Sequence, residues 1–575
     1  MANLALGIHT GHDRGAAIVQ DGRILAAISQ ERLDRVKHSR SYAIPYNSID
    51  ALLDSQGLTI QDIGCVGFSG DAIDASSVAA FLRQDFWDHY HKVIPFYPVK
   101  HHDSHAYSAY ITSGFQDSLI LVADGGGDYV GNMTEAESLY LGTHGNVIPL
   151  ESRMQHPVVR RMGDYGNYLY PYMPQVVRER EISISRKYEQ ITYLLGFGWG
   201  QAGKTMGLAS YGVSLMDFSV RQSRSPMDYS LQYGDILDVL YAVQQHSGAN
   251  HFDFLENRRA DIARTIQEYT ETTMVTLVTG LLKKYQLMNI CVAGGLFLNC
   301  LLNHLILERC PVENAFFFPA AGDDGQAIGN ALFAYSSHFG VLTPTRLETP
   351  YLGLSYTDEE IERVLCGHSL NYQKLDEQTL AHTLAKKIFE NRIIALHRGR
   401  TEIGPRALCH RSIMANPTSP NMKDILNDRV KHREAFRPFA PVVTAERQFD
   451  IFELKQESPY MLLAPHVKEA YRERLPSITH VDGTARVQSV TYQQEPFIHT
   501  LLSEFEQISG LPVLLNTSFN VAGEPIVESP EDAVTTFLKT QIDVLCIGNY
   551  LVTKEISSRS CLKNRYCTKD ECMIG

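Results

Sequence analysis

Short apolar runs that end at glycine, aspartate or proline alternate along this chain with longer stretches of helical spacing. Leu4–Ile8, Ala16–Val19 and Ile24–Ala27 are the first three runs. A Gly/His/Asp turn separates the first two, and Asp21-Gly22 separates the second two. Two apolar runs joined by Asp-Gly predict a β-hairpin. Further strands are predicted at Leu119–Ala123, Ile290–Ala293 and Ala315–Phe318, and a long helix at Ile262–Tyr285. Strands alternating with helices argue for an α/β architecture. No internal repeat or low-complexity segment stands out.

The periodicity fades at Leu342–Asp358 (LTPTRLETPYLGLSYTD), where two proline-containing turns mark a boundary. Beyond it, Asp358–Leu365 reads as a helix beginning at an aspartate cap. Composition then shifts: Arg398, Arg400, Arg406, Arg411, Arg429, Lys431, Arg433 and Arg437 crowd into 40 residues. We therefore expect two domains, 1–350 and 360–575, since 575 residues exceed what one core can hold. The net charge of −13 argues against a broad grip on nucleic acid or anionic membrane. The N-terminus lacks the basic and apolar regions of a secretory signal. The longest apolar stretches, such as Ser118–Ala123 and Thr276–Leu282, fall short of the roughly 18 residues a membrane helix needs. Ten scattered cysteines read as buried thiols of a reducing compartment, and the spacing of Cys561, Cys567 and Cys572 fits no common zinc site. A soluble, cytoplasmic protein is expected.

Candidate chemistry changes this picture in both halves. His101 and His105 in KHHDSHAYSAY are separated by four, so on a helix both imidazoles project from one face toward one metal. Asp124 ends a predicted strand ahead of a glycine loop, and Asp323 repeats that arrangement ahead of a helix. Two histidines and two carboxylates suit Fe(II), Mn(II) or Zn(II). His102 and Asp324 are adjacent competitors that spacing does not separate. His102 also occupies the place where a zincin motif requires glutamate. The glycines Gly125, Gly126, Gly127, Gly294 and Gly295 can bring backbone N–H groups to the phosphates of a nucleotide. Asn299 and Asn303 would line one face of the following helix, with helix capping as the alternative. Gly198–Thr205 (GWGQAGKT) matches the P-loop pattern and includes Lys204, but the preceding segment reads as a helix rather than the required strand. A loop facing substrate or phosphate is the better reading.

In the second half, GRTEIGPRALCHRS and VKHREAFRPFAP interleave Arg406, Lys431 and Arg437 with Gly, Pro, Phe and Ala, as an anion pocket would. Arg486 and the polar turn Asn516–Asn520, with Ser518 inside it, add donors.

Together these motifs resemble the NodU/CmcH family of O-carbamoyltransferases. HHDSHAYSAY, DGGGD, GKTMGLASYG, VAGGLFLNCLLN, GDDGQAIGNAL, GPRALCHRS, KHREAFRPFAP, TARVQSV and NTSFNVAGEPIV occur in the family's order, from about residue 4 to 550. The resemblance implies an N-terminal actin-like, TsaD-like domain and a C-terminal YrdC-like domain. It implies that the latter joins carbamate from carbamoyl phosphate to ATP, and that the former transfers the carbamoyl group from carbamoyladenylate to a hydroxyl of a small-molecule metabolite. It also implies metal ligands His101, His105, Asp124 and Asp323, with iron the usual ion, zinc or manganese as alternatives, and magnesium accompanying ATP. Arg406, Lys431, Arg437, Arg486, Asn516, Ser518 and Asn520 match the carbamoyl-phosphate pocket, His12 the catalytic histidine and Lys37 a basic residue near it. A homodimer is the assembly considered. Cys409 departs from the pattern, standing where glycine is usual, and so does Tyr107.

The rival readings are a fused tRNA-modifying threonylcarbamoyl transferase, disfavoured by the charge, an actin-like or P-loop kinase, and an idle ATP-binding module.

Overall fold

Asp21 and Gly22 both take positive φ, 49° and 81°, so the predicted hairpin closes in the tight turn that Asp-Gly favours. A computed structural model describes residues 2–70, 75–131, 133–155, 182–222, 225–231 and 236–556. Cys561, Cys567 and Cys572 lie outside the described residues. The hairpin strands β2 (Gly15–Gln20) and β3 (Arg23–Ser29) continue a sheet begun by β1 (Leu4–Thr10). β4 (Cys65–Gly70) and β5 (Phe96–Pro98) complete it in the order β3-β2-β1-β4-β5. The pairings from β1 through β2 to β3 are antiparallel, and those from β1 through β4 to β5 are parallel.

A second sheet follows, built from β6 (Asp117–Ala123), β7 (Tyr129–Val130), β8 (Met133–Thr143) and β9 (Asn146–Gln155). After a small β10–β11 ribbon (Val220–Gln222, Tyr229–Leu231), β12 (Asn289–Ala293) and β13 (Asn314–Phe317) join it. Its path β9-β8-β6-β12-β13 repeats the first sheet strand for strand, with the same two antiparallel and two parallel pairings. A duplication thus exists where no sequence repeat was seen, because topology survives after side chains have diverged. The helix after β5, His101–Ile111, packs on β6 and β12. The helix after β13, Gln326–Phe339, packs on β1 and β4. The two helices cross between the sheets and touch each other, which is the actin-like arrangement.

That crossing is close. Gly7 and Gly67 face one another in register on β1 and β4. A Cβ on Gly7 would lie 1.9 Å from the Ala327 carbonyl oxygen, and one on Gly67 2.0 Å from that of Asn330. Only glycine at these two positions lets the helix backbone rest on the strands.

The second half is an eight-stranded mixed sheet in the order β14-β21-β20-β15-β16-β19-β17-β18. Its strands are β14 (Leu370–Lys374), β15 (Ile394–His397), β16 (Arg411–Ala415), β17 (Ala440–Thr444), β18 (Gln488–Val490), β19 (Val513–Ser518), β20 (Val544–Ile547) and β21 (Tyr550–Ile556). Helices Glu377–Phe389 and Pro496–Ser509 pack together against it. Between the halves, residues 340–357 hold both sides: Leu347 N–H donates to the Thr112 carbonyl and Gly353 N–H to that of Thr401. The helix that follows is capped by Thr357 rather than by the expected aspartate. Thr357 exchanges hydrogen bonds with Glu360 in a capping box, and Asp358 becomes the first helical residue. Among the described residues no helix is long and apolar enough to cross a membrane.

Candidate metal centre and anion pocket

Each element of the first half delivers its polar residue at the same edge of the duplicated sheets, where parallel strands end. His12 follows β1, Asp124 follows β6, and Asp323 lies between β13 and the helix Gln326–Phe339. His101 and His105 stand one turn apart on their helix. One ligand atom from each of His101, His105, Asp124 and Asp323 falls within a group no more than 4.8 Å across. His101 Nε2 lies 3.3 Å from Asp124 Oδ2 and 3.2 Å from Asp323 Oδ1, and His105 Nε2 lies 3.3 Å from that same Asp323 oxygen.

The electrostatics match such a group. Burial opposes charge on His101, yet Asp323 and Asp124 outweigh it and hold the imidazole well above its ordinary range. Despite burial, His101 and His12 hold Asp323 well below the ordinary carboxylate range. His101 Nδ1 and both ring nitrogens of His105 are buried without a hydrogen-bond partner. A buried N₂O₂ set with orphaned imidazole nitrogens fits a divalent cation.

The competitors turn elsewhere. His102 Nδ1 meets Ser138 Oγ at 2.7 Å, and burial with the nearby His101 lowers its pKa to about 3. Asp324 is held well above the ordinary carboxylate range by burial, then by Asp13 and Glu31.

Three expected phosphate-facing amides are already committed. Gly127 N–H donates to the Glu135 carbonyl, Gly294 N–H to that of Ala321, and Gly295 N–H to Asp124 Oδ1 at 2.8 Å. Gly295 therefore orients a carboxylate of the cluster. Gly294, at φ 98°, is pressed against β6, where a Cβ would meet the Ala123 oxygen at 2.3 Å. In the DGGGD loop, the Gly125 carbonyl accepts from Arg186 Nε at 2.6 Å and Gln155 Nε2 at 3.0 Å, and Gly126 lies against the same two side chains. Asn299 takes the capping alternative: its Oδ1 accepts from Leu302 N–H, and its amide pairs with Gln267. Asn303 donates to the carbonyls of Phe297 and Leu462, tying the halves together. The GWGQAGKT segment is a turn after the helix Ile184–Leu194, followed by the helix Ala202–Ala209, so the P-loop's leading strand is missing. Lys204 Nζ instead crosses to the second half, 2.5 Å from Glu434 Oε1.

Sheet order gathers the second set. β16, β17 and β18 begin, and β19 ends, at one edge of the eight-stranded sheet, because β19 runs antiparallel to β16 and β17. Arg406, Lys431, Arg433, Arg437, Arg486 and the Asn516–Asn520 turn therefore converge from four distant segments. Lys431 Nζ donates to the Ser518 carbonyl, to Ser518 Oγ at 3.2 Å and to Asn520 Oδ1 at 2.9 Å. It sits at a wide helical turn, where His432 N–H reaches back five residues to the Asn427 carbonyl. Burial and the cations Arg433, Arg437 and Lys37 push Lys431 well below its ordinary pKa. Burial and Arg406 push Arg486 down to about 9. Arg406 Nε and Arg486 Nε are buried and unpaired. Among the described residues Arg406, Arg433, Lys431 and Arg486 form no ion pair with a carboxylate; Lys431 is buried and the three arginines half-buried, and such cations without counter-charge suit an anion. Asn516 is engaged with Gln488 at 2.8 Å and the Ala407 carbonyl at 3.1 Å, leaving a buried Oδ1 unpaired.

Cys409 keeps the loop in the conformation glycine would take, at φ 89°. Its buried thiol fills space beside Gln488 Oε1 at 3.3 Å. Tyr107 packs edge-on against Phe333, 5.2 Å between centroids. Lys37 lies on the seam, within electrostatic reach of Glu31, Arg437, Asp13 and Lys204. Residues the sequence did not single out also line this region. Asp13 and His38 meet at 2.7 Å, and Trp199 lies edge-on to His12 and His38. The His-Asp pair in HTGHDRG was the available signal for Asp13; nothing local announces Trp199.

Two family models match the chain, one in each half. The family model described as "Carbamoyltransferase N-terminus" matches residues 4–78 and 77–332, and "Carbamoyltransferase C-terminus" matches 385–554. The chain is 33% identical over 590 residues to Nodulation protein NolNO of Sinorhizobium fredii, covering 95% of this chain and 80% of that protein. It is 33% identical to Nodulation protein NolO of Bradyrhizobium diazoefficiens, over 80% of each chain. It is 27% identical to Nodulation protein U of Sinorhizobium fredii, over 90% of this chain and 93% of that one. With matches in both halves and relatives a third identical over most of their length, the chain belongs to the carbamoyltransferase family.

Proposed function

We propose that this enzyme is an ATP-dependent O-carbamoyltransferase that uses carbamoyl phosphate and passes through carbamoyladenylate to a hydroxyl of a small-molecule secondary metabolite. The observation that carries the reading is the convergence of Arg406, Lys431, Arg433 and Arg486 without a carboxylate partner among the described residues, with Lys37 within electrostatic reach on the seam between this pocket and Asp13. In this reading residues 360–575, the YrdC-like domain, bind carbamoyl phosphate through Arg406, Lys431, Arg437 and Arg486, with the Asn516–Asn520 turn completing the pocket. Water cleaves carbamoyl phosphate there to carbamate and inorganic phosphate, a carbamate oxygen bonds to the α-phosphorus of ATP, and the bond to the β-phosphate breaks so that pyrophosphate leaves. Residues 1–350 receive the adenylate. The amides of Gly125 and Gly126 donate to no backbone carbonyl among the described residues, so these two are the loop positions assigned to its phosphate.

His101, His105, Asp124 and Asp323 would hold a divalent ion, iron by preference. Such an ion supplies Lewis acidity toward a carbonyl or phosphoryl oxygen. His12 accepts the proton of the acceptor hydroxyl, while Lys37 and Lys204 steady the phosphate. Burial of both pockets limits loss of the reactive carbamoyl group to water.

The test is incubation with ATP, carbamoyl phosphate and a panel of hydroxylated metabolites. The expected products are AMP, pyrophosphate and an acceptor heavier by about 43 Da, as replacement of one hydrogen by carbamoyl requires. Formation of ADP without pyrophosphate would support a kinase instead, and an unchanged mass gain in Arg406→Ala and His101→Ala would remove the site assignments.

A further inference from the structure

The helix Ala202–Ala209 of the first half lies against the turn 433–438 of the second. A Cβ on Gly207 would meet Pro438 Cδ at 3.6 Å, and Phe197 and Phe436 stand 6.1 Å apart between ring centroids. At the start of that helix Lys204 Nζ reaches Glu434 Oε1 at 2.5 Å. The other carboxylate oxygen, Oε2, stands 3.8 Å from an Arg437 guanidinium nitrogen, beyond hydrogen-bonding range. Arg437 lies on the same turn, its main-chain N–H donating to the Glu434 carbonyl at 3.2 Å. Glu434 is the single acidic residue of VKHREAFRP, which carries Lys431, Arg433 and Arg437. Among the described residues it is also the one carboxylate that ion-pairs with a cation of the anion pocket.

Two features set this contact apart from a structural tie. The halves are joined without it: Arg35 donates to the carbonyls of Pro525 at 3.0 Å and Ile526 at 2.6 Å, Arg400 to that of Leu25 at 3.0 Å, and Asn303 to that of Leu462 at 3.1 Å. The contact is also open. Lys204, Glu434 and Arg437 are 21%, 32% and 35% exposed, so an anion from solution can reach all three. A Cβ on Gly203, beside Lys204, would meet nothing within 4 Å.

We infer that Glu434 is an exchangeable counter-ion of the anion pocket: its carboxylate holds Lys204 and faces Arg437 when no phosphate is bound, and yields both cations to a phosphate-bearing ligand. This rests on the carbamoyl-transfer reading, in which phosphate groups must enter the pocket and also leave it. A phosphate placed between Lys204 and Arg437 gains charge-assisted hydrogen bonds from both. Glu434 loses its partner as it does so and turns to solvent, so the net gain is smaller than the cations alone would give. The site then binds phosphate firmly enough to position it and loosely enough to release pyrophosphate and pass on an adenylate.

The test titrates pyrophosphate calorimetrically into the full-length protein. Glu434→Gln keeps the shape of the side chain and removes its charge. It should bind pyrophosphate about three- to tenfold more tightly, with the gain appearing as slower dissociation. Lys204→Met should weaken binding more in the Glu434→Gln background than in the unaltered one, because only there is the ammonium free for the ligand. Without pyrophosphate, the unfolding temperature of Glu434→Gln should stay within about 2 °C of the unaltered protein, as loss of a half-exposed ion pair allows. If Glu434→Gln does not fold, Glu434→Ser takes its place with the same expectations. Unchanged or weaker affinity for pyrophosphate after removal of the carboxylate, or a Lys204→Met penalty equal in the two backgrounds, overturns the inference and leaves Glu434 as a tie between the halves. Failure of the underlying reading looks different. The unaltered protein would then show no carbamoyl-phosphate-dependent exchange of pyrophosphate into ATP, while the affinities still followed Glu434.

Discussion

Gly329→Ala should cost this protein its metal affinity without touching a ligand. Gly329 lies on the helix Gln326–Phe339, which begins just after Asp323, and faces the helix that carries His101 and His105. A Cβ there would stand 1.9 Å from the Ser104 carbonyl oxygen and 2.5 Å from Ser104 Oγ. Ser104 is the residue before His105, and its Oγ already donates to the Gln326 carbonyl at 2.8 Å. To restore an ordinary contact the two helices must separate by about 1 Å. Metal–ligand distances tolerate about 0.2 Å, so His101 and His105 on one helix and Asp323 beside the other could no longer close on one ion. Loss of affinity by about 10–100-fold is expected, comparable to removing a residue that orients a ligand, with an overpacking cost of about 1–3 kcal/mol in stability. Anaerobic titration of the metal-free protein with Fe(II), alongside thermal unfolding with and without the ion, reads both effects. Gly367→Ala, with nothing within 4 Å of its new Cβ, is the control. A folded Gly329→Ala protein that binds Fe(II) as tightly as the unaltered one would refute the packing argument.

Three other outcomes follow from the geometry. Arg486→Lys should lose at least about tenfold in carbamoyl-phosphate-dependent pyrophosphate exchange, because a point charge cannot replace a planar fork; wild-type exchange in that variant would count against the anion pocket. Pyrophosphate should raise the unfolding temperature by supplying the missing counter-charge, by about 2.7 kcal/mol at 100 times its dissociation constant, and differential scanning fluorimetry should show the rise reduced in Arg486→Ala. Glu135 is raised from 4.5 to about 7 by burial, then by Asp128 and Asp103. A carboxyl with a raised folded pKa binds more protons when folded, so it lowers stability as pH climbs from about 4.5 to 7, by at most about 3 kcal/mol; urea unfolding at pH 5 and pH 8 should show that decline flattened in Glu135→Gln.

Period and punctuation alone determined the elements: the Asp-Gly hairpin, the strands ending at Ala123 and Ala293, and the long helix through Tyr285 are local decisions made by side-chain alternation and turn chemistry. The i, i+4 spacing also placed His101 and His105 on one face, and the lack of a leading strand set aside the P-loop pattern. Contacts between distant segments lay beyond such reading. Only the sheet order brings Arg406, Lys431, Arg486 and Ser518 to one edge, and only helices crossing between duplicated sheets bring Asp323 to His105. Amides expected at phosphates proved committed to Ala321 and Asp124, since a hydrogen-bond acceptor supplied by another strand leaves no trace beside the donor in sequence. His12 was legible as a histidine in a turn, whereas Trp199, which lies edge-on to it, was not. Local propensity acts through neighbours along the chain, whereas a site is a coincidence of side chains in space, and packing alone decides that.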